Sequence, residues 1–250
     1  MSLPRFLAPS LDPASPDVTL PVEEARHLTR VLRLSSGSRV AVFDGRGREF
    51  LATVKSASRD RVTLRLEGAV EAVPDPRVPI TLVQAILKGD KMDDVVRDAT
   101  MMGVVEIVPL LSEHISVKPA AIAKGKPEER WTRVAIASAK QCRRATIPAV
   151  RPPIDLGSWI SDRRREGSVT LILVEPNVSD SRVQALRQFM HGPQPARACI
   201  VAGPEGGWSP GEVEAAIAGD CVPVTLGRLT LRADAVALVA LSALTAIWEE

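Results

Sequence analysis

The sequence predicts an α/β protein in two parts: a small β-barrel-like domain over residues 1–74, and a larger domain over residues 75–250 built on a largely parallel sheet. Three observations predict it. Charged and apolar residues alternate at period two in Arg61-Val62-Thr63-Leu64-Arg65-Leu66, the mark of a half-buried strand. Pro74, Pro76 and Pro79 then interrupt the chain, where neither a helix nor an interior strand tolerates them. Beyond them, near-continuous apolar strands alternate with helices, as a sheet covered on both faces requires.

In the first part a short helix is expected around residues 21–32. Strands follow at 39–43 and 48–54, separated by the Asp44-Gly45 turn signal, and again at 61–66. In the second part the apolar run 80–86 is of strand length. Asp90 is placed to cap a helix that runs to about residue 102, where Gly103 ends it. Residues 104–110 form another apolar strand, and Pro127 opens a helix reaching about residue 145. Strands are expected at 169–174, 198–202 and 221–226, with a last helix ending near Trp248. Ligands of such sheets bind beyond the carboxyl ends of the strands.

Composition excludes several classes. Of 250 residues, 45% are hydrophobic and 25% charged, which leaves no room for a disordered, collagen-like or coiled-coil chain. No apolar run free of charge reaches the ~18 residues of a membrane span. Residues 1–11 lack the apolar stretch of a signal peptide. Cys142, Cys199 and Cys221 are scattered, with no C-x-x-C and no histidine nearby in sequence. Neither a disulfide framework nor a metal site is therefore expected, and a reducing cytoplasm is. Tyrosine is absent and aromatics make up 3%, so stacking on single-stranded bases has few side chains to use.

Two stretches stand out at predicted strand ends. Ala202-Gly203-Pro204-Glu205-Gly206-Gly207-Trp208 joins a strand to a helix that Ser209, Pro210 and Glu212 cap as Ser-x-x-Glu. Its spacing is neither G-x-G-x-x-G nor a Walker A loop. The glycines alone read as a tight turn. Leu226-Gly227-Arg228-Leu229-Thr230-Leu231-Arg232-Ala233-Asp234 follows the last strand. Arg232 and Asp234 alone read as a local ion pair at a helix start. The helix after them is apolar on nearly every side, so it is buried in the domain or at a subunit contact.

The net charge is only +2, but it hides two basic regions. Residues 26–65 hold ten Lys/Arg against three Asp/Glu, and residues 118–165 hold twelve against four. Arg130, Arg133, Lys140 and Arg144 fall on one face of the helix expected after Pro127. A solvated surface explains most charge runs. Two separate basic regions in a near-neutral chain point to a phosphate backbone as partner.

Taken together, Lys88-Gly89-Asp90-Lys91-Met92-Asp93, Gln141-Cys142-Arg143-Arg144, Gly203-Pro204-Glu205-Gly206-Gly207, Leu226-Gly227 and Leu229-Thr230-Leu231-Arg232 resemble the ribosomal RNA small subunit methyltransferase E family. His27 with Val31-Leu32-Arg33, and Asp44-Gly45-Arg46-Gly47, are similar to that family's N-terminal RNA-binding domain of PUA type. The resemblance implies a SPOUT-class domain whose C-terminal segments thread a trefoil knot. It implies S-adenosylmethionine as cofactor, N3 of a uridine in 16S rRNA of the small ribosomal subunit as target, and a homodimer. By the same resemblance Glu175, Pro176, Ala202, Gly203, Gly206, Gly207, Leu226, Gly227 and Leu231 form the cofactor site. Arg33, Arg46 and Lys88 would join Arg130, Arg133, Lys140 and Arg144 in holding RNA.

The implied chemistry assigns Arg232 to stabilise the developing uridine anion and Asp234 to orient it, with Glu205 competing for a catalytic role. The family's usual Leu-Arg-Thr-Glu-Thr-Ala is Leu231-Arg232-Ala233-Asp234-Ala235-Val236 here, so the carboxylate is one methylene shorter and two hydroxyls are gone. That departure motivates an alternative: an RNA-binding assembly protein that keeps the fold without catalysis.

Overall fold

A computed structural model describes residues 3–162, 168–176 and 180–248. The chain divides into two compact units. One contains the residues up to Asp75 together with Ile136–Ile147, and the other contains Pro76–Ala135 and the residues from Pro148 onward. The sequence predicts a single break at residue 74. In the structure the first unit also takes a later stretch of chain.

The first unit comprises β1 (Arg5–Leu7), β2 (Asp17–Thr19), α1 (Val22–Arg26), β3 (Arg39–Phe43), β4 (Glu49–Ala57) and β5 (Val62–Val70). The helix expected over 21–32 is α1 continued by a π-helical turn over His27–Val31. The five strands lie in the order β1-β3-β4-β5-β2, with β1 parallel to β3 and the other pairs antiparallel. Period-two alternation sends Val40, Val42, Ala52, Val54, Val62 and Leu64 inward, where Phe6 of β1 and Val18 of β2 join them in one core. Both edge strands thus reach the same core, so the sheet curls. No ladder joins β1 to β2 among the described residues, and the barrel is left open. At three residues each, these strands are too short to show a period.

Arg5 explains why residues 136–147 belong to this unit. It forms a two-pronged pair with Glu49, both contacts at 2.8 Å, and also donates to the carbonyls of Ala139 at 2.9 Å, Lys140 at 3.1 Å and Arg144 at 3.1 Å. One buried guanidinium thereby satisfies carbonyls at the end of a helix, which would otherwise be left without donors. Asp75 accepts from Arg144 Nε at 2.8 Å and from Thr146 Oγ1 at 2.6 Å. Asp75, within the proline-rich stretch, is accordingly tied into the first unit.

The second unit carries β6 (Ile80–Ala85), α2 (Lys91–Met101), β7 (Glu106–Leu111), α3 (Pro119–Gly125) and α4 (Pro127–Gln141), the last crossing into the first unit at Ile136. It continues with β8 (Ala149–Val150), β9 (Ile154–Asp155), α5 (Leu156–Asp162), β10 (Ser168–Leu173), β11 (Gln184–Ala185), β12 (Arg197–Ala202), α6 (Pro210–Ala218), β13 (Val222–Thr225) and α7 (Ala233–Trp248). The strands pair in the order β11-β13-β10-β12-β6-β7-β8, with β9 also on β7, and every pair is parallel. β13 therefore enters between β10 and β11, two strands that precede it. A sheet that simply grows outward does not produce that order.

One expectation, the reach of the helix after Pro127, needs correction here. The helix after Pro127 ends at Gln141, and Arg143 turns left-handed with φ 65°, so Arg144 is not on the helix. α7 is not covered all round in the single chain. Ala237, Ala240, Leu241, Leu244 and Trp248 are buried, while Val239 is 41% exposed.

Candidate active site

The carboxyl ends of β10, β12 and β13 surround a cavity of about 570 Å³, within the range of small-ligand sites. Three loops line it. Val174, Glu175 and Pro176 follow β10, residues 203–208 follow β12, and Leu226 with residues 229–232 follows β13. Lys91 of α2 and Asp234 of α7 also face it. Of the expected cofactor residues, Glu175, Pro176, Gly203, Gly206, Gly207, Leu226 and Leu231 line the cavity. Ala202 is buried at the end of β12, and neither it nor Gly227 is among the lining residues.

The glycines act in different ways. A Cβ on Gly206 would lie 2.8 Å from His114 Cβ and 3.0 Å from the His114 carbonyl oxygen, so only glycine lets the loop after β7 pack here. Gly207 has φ 71°, a left-handed conformation that other residues adopt at a cost. At Gly203 a Cβ would meet the Trp208 indole at 3.0 Å. The demand at Gly203 is thus the close approach of a side chain from its own loop. Trp208 Nε1 donates to the Leu173 carbonyl at 2.9 Å, which ties the loop after β12 to the end of β10. Ser209 and Glu212 form the capping box expected of them, and Glu212 also accepts from the Glu113 amide at 3.1 Å.

Arg232 and Asp234 form a two-pronged pair. Nε donates to Oδ1 at 3.0 Å and Nη2 to Oδ2 at 2.9 Å. Arg232 holds the Asp234 carboxyl below its ordinary range, and the nearby charge of Lys91 adds to the effect. The Arg232 side chain is 74% exposed.

Glu205 is engaged differently. Its Oε1 accepts from the Lys91 ammonium at 2.9 Å and from the Lys88 amide at 3.2 Å, joining the loop after β6 to the loop after β12. Burial works against its charge, but the Lys91 hydrogen bond and backbone amides outweigh it, and the carboxyl stays below its usual value. A carboxylate so held is a poor proton acceptor near neutral pH. Through these contacts Glu205 acts as a latch between the two loops.

Several cations of the expected basic face are paired with acids. Arg130 pairs with Asp90 at 2.7 Å and with Asp93 at 2.5 Å. Within the first unit Lys140 pairs with Glu24 at 2.9 Å, and Arg144 is buried against Asp75. Helical spacing shows which cations share a face, but not the acids that other elements bring to them. Arg33, Arg46, Lys88 and Arg133 are exposed and make no ion pair among the described residues. Arg163, Arg164 and Arg165 of the second basic region lie outside the described residues.

Lys91 and Trp208 belong to the sequence motifs, yet sequence reasoning does not assign them to the site. The signal for each is position, one a turn beyond a strand-end glycine and the other closing a glycine loop.

A parallel sheet with an inserted last strand, and a cavity of glycine and leucine loops at the strand ends, define an α/β domain of the RNA methyltransferase class. A family model described as RNA methyltransferase domain matches residues 74–245, and one described as RNA methyltransferase PUA domain matches residues 20–67. The chain belongs to the ribosomal RNA small subunit methyltransferase E family. It is 32% identical over 232 residues to the Ribosomal RNA small subunit methyltransferase E of Synechocystis sp., covering 93% of this chain and 74% of that one. It is 30% identical to the Mycobacterium tuberculosis protein of the same name, over 91% of this chain and 86% of the other. Among solved structures it resembles a Ribosomal RNA small subunit methyltransferase E from Neisseria gonorrhoeae bound to S-adenosyl methionine. The TM-score is 0.86 and the identity 29%, over 98% of each chain. A putative methyltransferase from Legionella pneumophila in complex with bound SAM superimposes with a TM-score of 0.87 at 28% identity, over 98% of each chain.

Proposed function

We propose that the protein methylates N3 of a uridine in 16S rRNA of the small ribosomal subunit, using S-adenosylmethionine. The observation that carries this reading is the strand-end cavity, in which glycine loops, apolar Leu226 and Leu231, and the Arg232–Asp234 pair face one space. The cavity fits the cofactor. Its volume suits a nucleoside-sized group, its leucines offer packing for an aromatic face, and its glycine loop presents backbone donors and acceptors. The insertion of β13 between β10 and β11 supports the threaded C-terminus that the resemblance implies.

When bound, S-adenosylmethionine would supply an electrophilic methyl group to N3 and leave as the neutral thioether, its sulfur keeping the electron pair of the broken S–CH3 bond. Uridine N3 must lose its proton near that moment, and the negative charge spreads over the uracil ring. Arg232 offers a planar fork of N–H donors to that charge, and Asp234 sets the fork's direction through two hydrogen bonds. Hydrogen bonds to cationic neighbours hold both Asp234 and Glu205 below their ordinary values. In this reading the N3 proton passes to solvent.

The free cations Arg33, Arg46, Lys88 and Arg133 are the RNA contacts this reading favours. A homodimer is supported by apolar surface left open on the second unit: Leu229 is 80% exposed, and Met101 and Val239 are also exposed. No helix among the described residues is long and apolar enough to cross a membrane, and a cytoplasmic location suits the rRNA substrate. The test is methyl transfer from labelled S-adenosylmethionine to small subunits lacking the modification, followed by mass mapping of the 16S rRNA. Label at a uridine N3 is expected, and no label in the RNA overturns the reading.

A further inference from the structure

Gln84 is fully buried in β6, an interior strand. Its neighbours Leu82, Val83, Ala85, Ile86 and Leu87 are buried and apolar, as a two-faced sheet demands. A primary amide in such a place costs free energy unless its groups are paired. The pairing is incomplete. Nε2 donates to the Ala85 carbonyl at 3.0 Å and to the Gly203 carbonyl at 3.3 Å, while Oε1 is buried with no hydrogen-bond partner among the described residues. The amide's orientation follows from chemistry, because the flipped form would set its oxygen against two carbonyls. A leucine or methionine would suit the core better. What the amide adds is a grip on Gly203, the first residue of the glycine loop that lines the cavity.

Gly203 is thus held from two sides, its carbonyl by Gln84 and its open face by the Trp208 indole. Register pairing places Gln84 directly beside Ala202, one residue before that carbonyl. We propose that Gln84 is a positioning residue for the cofactor, fixing the Gly203 carbonyl so that the 203–207 loop holds its binding shape at a cost to core stability. The proposal rests on the cofactor reading above. Gln84 touches neither cofactor nor RNA; it acts through Gly203.

The test uses Gln84→Met, which keeps length and approximate volume but removes both amide groups. Affinity for S-adenosylmethionine is measured by calorimetry, and thermal stability in parallel. The expected result is a Kd raised about three- to tenfold, the range for losing one neutral hydrogen bond, with a Tm equal to or above wild type because the unpaired buried oxygen is gone. A purely structural glutamine would give a lower Tm. An unchanged Kd overturns the proposal. So does a lowered Tm or failure to fold, since either shows that the fold itself needs the amide. Absence of binding by the wild type overturns the cofactor reading itself, and the proposal falls with it; equal binding by wild type and variant overturns the proposal alone.

Discussion

Arg232 grips Asp234 with two parallel hydrogen bonds, Nε to Oδ1 at 3.0 Å and Nη2 to Oδ2 at 2.9 Å, where the chain enters α7. The shorter carboxylate found here still reaches the guanidinium on both prongs. Arg232→Ala is expected to lower kcat by on the order of 10²–10³ and to leave cofactor affinity nearly unchanged. Arg232→Lys should recover only part of the loss, because one ammonium cannot reproduce a planar fork. Asp234→Ala should lower kcat, and Asp234→Glu should retain activity. Single-turnover methyl transfer with parallel calorimetry separates these effects. Wild-type rates for both alanine variants would remove the pair from the mechanism.

Glu205 bears on the pH dependence. Its carboxyl is held below its ordinary value, so in the folded protein it stays charged through neutral pH and somewhat beyond the usual carboxylate range. The latch it forms is present above that range and is lost as pH falls through the folded-state value. Cofactor affinity should accordingly be flat from pH 8 to about pH 5 and fall only in stronger acid. Glu205→Gln keeps an acceptor for the Lys88 amide but gives up the charge facing Lys91. Its affinity should be weaker at neutral pH, and its acid dependence shallower. A titration near pH 7 that disappears in Glu205→Gln would return Glu205 to the role of proton acceptor.

The cations of the basic regions should divide into two groups. Neutralising Arg33, Arg46, Lys88 or Arg133 should weaken RNA binding while stability stays as it was. The salt slope should become shallower by about 0.7–0.9 for each phosphate that is no longer neutralised. Arg144→Gln should instead destabilise the fold by about 3 kcal/mol, the low end for breaking a buried pair, because Asp75 remains partly exposed. Denaturant melts and salt-dependent binding isotherms measure the two effects. An unchanged salt slope in all four surface variants would leave them as plain solvated charges.

Dimerisation can be separated from folding on α7. Leu241 and Leu244 are fully buried within the chain, so Leu241→Asp or Leu244→Asp should unfold the protein whatever its oligomeric state. Val239 faces outward, so Val239→Asp should convert a dimer to a folded monomer. Light scattering and far-ultraviolet circular dichroism distinguish these outcomes, and a wild-type monomer at micromolar concentration would end the dimer proposal.

Much of the fold is legible in the sequence because the signals are local. Val62 and Leu64 alternate with polar neighbours, and the longer strands of the second unit are mostly apolar, so period and run length locate them. The Ser209–Glu212 box and Gly103 mark helix ends by their own chemistry. β1 and β2 escape such reasoning because three residues cannot display a period. The helix after Pro127 reads too long, since nothing in its helical pattern announces the left-handed turn at Arg143.

By itself the sequence determined the strand and helix inventory, the glycine and leucine loops at strand ends, and, through motif resemblance, the family. Tertiary structure decided which charges are free and which are consumed. Glu24 meets Lys140 across more than a hundred residues, Asp75 meets Arg144, and Lys91 meets Glu205, so that three apparent site or surface groups became struts. It also decided that Gln84, unremarkable within an apolar run, reaches the carbonyl of Gly203. The reason is physical. Periodicity and capping depend on neighbours along the chain, whereas the state of a charge or a buried amide depends on whatever group packing brings within about 3 Å of it.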